Sequence, residues 1–215
     1  VTGEGIDAVT AHLDAAANDK GHRDATGHRF RLAVDRCFTL PGLGTTVTGT
    51  VLSGSVKVDD VVTVSPTGTT ARVRSIRAQN QPVENGMAGQ RCALVLSGAA
   101  VSRETVRRGD VVLDPRLHAP TSRIDARLRI LPVEPKPIGQ WFPVKLHHAA
   151  AEVPGRIVVL SGEAVAPGDE AIVQFVLERP IAAAAGDRFV IRDTSSSRTI
   201  GGGRFVDLRG MERRR

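Results

Sequence analysis

Asp35 and Arg36 stand side by side in the apolar run LAVDRCF (Leu32 to Phe38), and Arg91 interrupts a second such run, GQRCAL (Gly89 to Leu94). A carboxylate beside a guanidinium makes an ion pair. Taken by themselves, these three residues read as a surface ion pair and a solvated strand arginine. Strict strand alternation turns residues 35 and 36 to opposite faces, so a bulge or a strand end is needed if both are to act on one ligand. His147-His148 invites a metal, but adjacent strand residues diverge and only Glu152 lies near in sequence, so no metal is expected. One of the two histidines should be buried and the other exposed, or in contact with RNA or a neighbouring domain. Gly42, Gly44 and Gly49 resemble a phosphate cradle, yet a turn between strands accounts for them. Cys37 and Cys92 lack CxxC spacing, so they read as small buried hydrophobes of a cytoplasmic protein. There is no GxxxxGK[ST] loop and no Ser-His-Asp or Cys-His arrangement with local support. No catalytic residue is expected, and the chain should not hydrolyse a nucleoside triphosphate by itself.

The elements that carry these residues read as mainly β. Ile6, Val9 and Leu13 recur at helical spacing, so Thr2 to Ala17 is a turn and a helix. Lys20 to His28 is polar and glycine-bearing, a linker. Strands are expected at Arg31–Phe38, Thr45–Leu52, Asp60–Ser65, Arg72–Arg77 and Arg91–Leu96. Ser102 caps a single helical turn, and Gly109-Asp110 leads into Val111-Val112-Leu113. These describe a small closed barrel. After a proline-bearing linker, Ile124, Ala126, Leu128 and Ile130 alternate with polar residues, so a second β unit begins there with one face buried. Its further strands are expected at Phe142–His147, Gly155–Leu160, Ala171–Leu177, Arg188–Arg192 and Arg204–Leu208. Trp141 reads as a core or interface residue.

The 215 residues allow one large or two small domains, and the low aromatic content predicts cores of Val, Ile, Leu and Ala. A formal charge of +6, mostly from arginine, favours a nucleic-acid partner. So few aromatics argue against an oligonucleotide-stacking barrel. No apolar run reaches the ~18 residues of a membrane span, and no signal peptide is present, so no membrane is expected. Val1 and the basic tail at 210–215 read as cut points in a longer protein.

Several segments carry a resemblance. Phe30 to Val62, with GTTVTGTVLSG at its centre, resembles the opening of the second domain of translational GTPases. TGEGID resembles the last loop of their nucleotide domain, and RTIGGG is shared across such factors, elongation factor Tu included. RAQNQP (Arg77 to Pro82) and LHHAAAEVPGR (Leu146 to Arg156) narrow the resemblance to the selenocysteine-specific elongation factor (SelB) family. It covers almost the whole chain.

The resemblance implies two consecutive β-barrels after a short N-terminal helix. Residues 1–20 would end the GTPase domain and 21–28 would link it. Barrel domain two would span 29–114, barrel domain three 121–209, and 210–215 would be the tail. It implies a parent that uses GTP and Mg, binds selenocysteinyl-tRNA and delivers it to the ribosome, with no cofactor in these barrels. An mRNA hairpin would be read only by C-terminal domains absent from this sequence. It also implies that Asp35, Arg36 and Arg91 bind the selenocysteinyl group, with Asp35 orienting an arginine. Arg156, Arg192, Arg198 and Arg204 become candidates for the tRNA backbone, in salt-sensitive contacts; Asp193 could equally pair with Arg198. The alternatives are an elongation factor Tu-like protein, the GTPase subunit of sulfate adenylyltransferase, or a non-enzymatic RNA-binding barrel or scaffold module.

Overall fold

The structure, a computed structural model, describes residues 3–18, 27–40, 42 and 44–211. Most of the expected linker, the end of the tail and Val1-Thr2 lie outside the described residues. Helix α1 (Ile6–Asn18) follows a turn at Gly3 and Gly5. Its apolar stripe is exposed: Ile6, Val9 and Leu13 rest on no core of the described residues.

The first barrel uses β1 (Arg31–Leu40), β2 (Gly44–Ser53), β3 (Ser55–Lys57), β4 (Val61–Ser65), β5 (Thr69–Ala78), β6 (Gln81–Val83), β7 (Asn85–Met87), β8 (Arg91–Ser97) and β9 (Val111–Leu113). Six of these close a ring in the order β4-β9-β1-β2-β8-β5, with β5 paired back to β4. The short β3 and β7 pair with each other, and β6 extends the edge of β5. Leu32, Val34, Val47, Val51, Val73, Leu94 and Val112 fill the interior. Ser102 forms the expected capped turn, its Oγ accepting from the Glu104 amide.

The second barrel uses β10 (Thr121–Ile130), β11 (Ile138–Gly139), β12 (Phe142–His148), β13 (Ala151–Val159), β14 (Ala164–Val165), β15 (Glu170–Ile181), β16 (Arg188–Arg192) and β17 (Thr199–Asp207). The ring closes as β10-β15-β13-β12-β16-β17. Ile124, Ala126, Leu128 and Ile130 are all buried in it, as their alternation requires. The fold class is therefore mainly β, two closed barrels after one short helix. The expectation of ring-free cores fails in both barrels, since Phe30 is buried in the first. Phe175, Phe189 and Phe205 cluster in the second, with ring centroids 4.9 and 5.0 Å apart.

The barrels touch through a small apolar contact of Val111 and Leu113 with Ala182. A Cβ on Gly109 would come within 2.8 Å of the Ala151 Cα in the second barrel, so the close approach needs glycine. Beside this contact Arg31 of β1 gives two hydrogen bonds to Asp187, at 2.7 and 3.0 Å. His148 Nε2 lies 3.0 Å from the same carboxylate.

Candidate anion site on the first barrel

Asp35 interrupts the pairing of β1 with β2. Val34 lies opposite Gly49 and Arg36 lies opposite Thr48, which leaves Asp35 without a partner in the ladder. This is a β-bulge, and it changes which way the pair faces. Thr48 is flanked by the interior positions Val47 and Gly49, so it faces outward, and Arg36 opposite it does the same. Asp35 also faces outward, because it bonds to Thr48. The bulge thus reconciles two adjacent residues on one face, which strict alternation forbids.

Gly49 is the companion of that bulge. A Cβ there would collide with the Ala33 carbonyl oxygen, so only glycine lets the bulged strand come this close. The sequence reading placed Gly49 with turn glycines. Gly42 and Gly44, with φ of 77° and 94°, do serve the β1–β2 turn, but Gly49 sits inside β2.

Arg91, the first residue of β8, reaches across β2 to Asp35. Its Nε donates to Oδ2 and its Nη2 to Oδ1, both at 3.0 Å. Thr48 closes the arrangement: its Oγ1 donates to Asp35 Oδ1 at 2.6 Å and accepts from Arg91 Nη2 at 3.1 Å. Burial pushes the Asp35 carboxyl up. Hydrogen bonds from Arg91 and Thr48 and the charges of Arg91 and Arg36 outweigh that effect and hold it below its ordinary value. The face carries one carboxylate and two guanidiniums, a net charge complementary to a single anion. Arg36 is exposed and makes no hydrogen bond or ion pair with the described residues. Thr48 was missed from sequence. Its signal was available, since it stands opposite Arg36 once the bulge is drawn.

The backbone-contact candidates are spread over β13, β16, β17 and the loop before β17. Arg156 is exposed on β13 and gives a hydrogen bond to the Trp141 carbonyl. Arg192, at the end of β16, stands beside Lys145 of β12 on the outer face, and its Nε is buried without a partner. Arg198 is committed elsewhere: its Nη1 lies 2.6 Å from both oxygens of Glu134, whose side chain is only 3% exposed. Among the described residues Arg198 meets Asp193 only through its backbone. Asp193 instead accepts from the hydroxyls of Ser195 and Ser197 and from the Arg198 amide, which hold its carboxyl far below the usual range. Arg204 of β17 stands between Arg188 and Arg127, three arginines abreast on neighbouring strands. Of these, Arg127 is paired with Glu170 at 3.0 Å.

The histidines divide as adjacent strand residues must. His148 is buried, tilted against Phe205 and bonded to Asp187. His147 faces outward, and burial together with the charges of Arg192 and Lys145 lowers its pKa against the opposing pull of Glu152. Among the described residues no group of three potential ligands gathers around a metal position, and no helix is long and apolar enough to cross a membrane.

The family described as "Selenocysteine-specific elongation factor, beta-barrel domain" matches residues 121–212, and "Elongation factor Tu domain 2" matches residues 44–113. A selenocysteine-specific elongation factor of Escherichia coli K12 is 39% identical over 96% of this chain. Those of Haemophilus influenzae and Desulfomicrobium baculatum are 35% and 31% identical over 99% and 100% of it. The chain belongs to the selenocysteine-specific elongation factor family. It spans about a third of the length of these curated relatives, 31% of the first and 33% of the other two. The fold is that of translation elongation factor SelB from Methanococcus maripaludis, solved in its apo form. The TM-score is 0.78 at 24% identity, over 95% of this chain and 48% of that one.

Proposed function

We propose that these two barrels are the tRNA-holding part of a GTP-dependent elongation factor that delivers selenocysteinyl-tRNA to the ribosome in the cytoplasm. Domain two, residues 29–114, receives the aminoacyl end, and domain three, residues 121–209, meets the tRNA body. GTP and Mg belong to a nucleotide domain outside this sequence, and any mRNA hairpin is read outside it too. Arg156, Arg192 and Arg204 contribute phosphate contacts. Arg198 acts indirectly, by shaping its loop.

The observation that carries the proposal is the outward face shared by Asp35, Arg36 and Arg91. A selenol ionises more readily than an alcohol, so near neutral pH selenocysteine presents an anion where serine presents a neutral hydroxyl. Two guanidiniums and one carboxylate leave one positive charge to be matched. The anion matches it; the serine hydroxyl leaves it unmatched. Asp35 takes the Nε edge of Arg91 and so aims the rest of the guanidinium.

The test is the ratio of selenocysteinyl-tRNA to seryl-tRNA affinity in the intact, GTP-bound factor. A charge-assisted hydrogen bond is worth about 1.5–3 kcal/mol, so Arg91→Ala should lower that ratio roughly tenfold to a hundredfold. Arg36→Lys should fall between wild type and Arg36→Ala. An equal loss for both tRNAs would make Arg91 a general contact, as an elongation factor Tu-like protein or a plain RNA-binding barrel requires.

A further inference from the structure

We infer that Thr48 is the positioning residue of this face: its hydroxyl fixes the direction of the Arg91 guanidinium, and selectivity for an anionic aminoacyl group depends on it. The inference rests on the reading of Asp35, Arg36 and Arg91 given above.

The two charged partners are poorly anchored by themselves. The Arg91 side chain is 55% exposed and that of Asp35 33%. An ion pair so open to water is weak, and a long side chain held only by it samples many orientations. Thr48 differs. It is 8% exposed, lies in the middle of β2, and is paired with Arg36 on one side and Ala93 on the other. As a β-branched residue it is stiff about its first side-chain torsion. Its Oγ1 is therefore a fixed point beside two partly exposed side chains.

That fixed point closes a three-membered ring of hydrogen bonds. Thr48 Oγ1 donates to Asp35 Oδ1, Arg91 Nη2 donates to that same oxygen, and Arg91 Nη2 also donates to Thr48 Oγ1. With Nε on Asp35 Oδ2 as well, the guanidinium plane is held at two edges. No described residue accepts from Nη1. The remaining donors of Arg91 and the whole guanidinium of Arg36 are left for an incoming anion. The ring thus decides in advance which edge of Arg91 is spent on the protein and which is offered to the ligand. Without the hydroxyl, Asp35 and Arg91 still attract each other, but the guanidinium can rotate and the ligand must order it on binding.

The consequence is specific to the anionic ligand. Serine takes little from the offered edge and loses little when that edge wanders. Thr48→Val keeps the shape and burial of the side chain and removes only the hydroxyl. In the intact GTP-bound factor it should weaken selenocysteinyl-tRNA binding roughly fivefold to tenfold. Seryl-tRNA binding should stay within about twofold, well inside the worth of one neutral hydrogen bond. Thr48→Ser returns the hydroxyl and should restore most of the ratio. Thr48→Ala provides a second removal should the valine variant fail to fold. Thr46→Val, on the same strand and face but with a hydroxyl that bonds no described residue, should leave the ratio unchanged.

Arg91→Ala is measured alongside to separate two failures. If Arg91→Ala collapses the ratio while Thr48→Val and Thr48→Ala leave it intact, the anion site stands and the role of Thr48 is overturned. If Thr48→Val weakens both tRNAs equally, or Thr48→Ser fails to restore the ratio, the residue is a packing element only. If Arg91→Ala itself leaves the ratio unchanged, the reading of the face fails and the role of Thr48 falls with it.

Discussion

Replacing Asp187 by asparagine should uncouple the two barrels at a measurable cost. The carboxylate faces both barrels. It accepts from Arg31 of the first barrel and from the Ala184 amide of its own, and it bonds His148. Arg31 and Asp187 are 14% and 16% exposed and His148 is 3% exposed, so the arrangement is largely shielded from water. Removing one partner of a buried ion pair costs about 3–5 kcal/mol. Asparagine keeps one carbonyl acceptor, which returns about 1 kcal/mol. The residual exposure trims the figure further, so about 1–3 kcal/mol is expected at neutral pH. Urea denaturation followed by circular dichroism reads this directly, provided the transition is checked for a second step as the barrels separate.

The pH dependence gives an independent check. Burial by itself would push the Asp187 carboxyl up, but hydrogen bonds from His148 and Arg31 and the charge of Arg31 overcome it, and the group sits far below its ordinary value. A carboxylate depressed in this way stabilises the fold at every pH above its unfolded pKa, about 3.9, and loses that contribution as pH falls towards the folded value. The gap between wild type and Asp187→Asn should be flat from about pH 7 to 5 and should narrow below about pH 4. A variant within ~0.5 kcal/mol of wild type at neutral pH would refute the clamp, since that is the ordinary effect of a surface substitution. A gap that widened on acidification would refute the assigned direction of the shift.

Two further outcomes follow from packing. Gly49→Ala places a Cβ against the Ala33 carbonyl and should cost about 3 kcal/mol in the same denaturation assay; wild-type stability would mean that the bulge adjusts freely. Arg198→Ala strands the buried carboxylate of Glu134 and should destabilise the second barrel by about 1–3 kcal/mol, discounted because Arg198 is 47% exposed. Glu134→Gln should do less harm, and the reverse order in thermal melts would show that the pair does not hold the loop.

How much was legible beforehand depended on which physical rule governed each residue. Period-two alternation is a property of the sequence itself, so Ile124 to Ile130 announced a buried face and β10 followed. Of the strands of three residues or fewer, β9 was marked by its run of Val111, Val112 and Leu113, whereas β3, β6, β7, β11 and β14 show no such period and were missed. The hairpin between β5 and β6 turns on Gln79 and Asn80, both at positive φ, inside a segment quoted only for its resemblance. Its asparagine was a usable turn signal that went unread. Glu134 was invisible for a different reason. A carboxylate 64 residues away from its arginine in sequence has no local signature, and burial of that pair is decided by the closure of the barrel.

The bulge at Asp35 lies between these cases. The sequence posed the problem, because residues 35 and 36 could serve one ligand only if alternation failed. What it lacked was the reason for the failure, which lies on the neighbouring strand. Gly49 permits β1 to approach, the approach lets Asp35 leave the ladder, and leaving the ladder puts its carboxylate on the side where Thr48 and Arg91 wait. A glycine read as a turn residue and a threonine not read at all are thus parts of one device. Each is explained only by a partner across the sheet, and the three charged residues can share a ligand only because both are present.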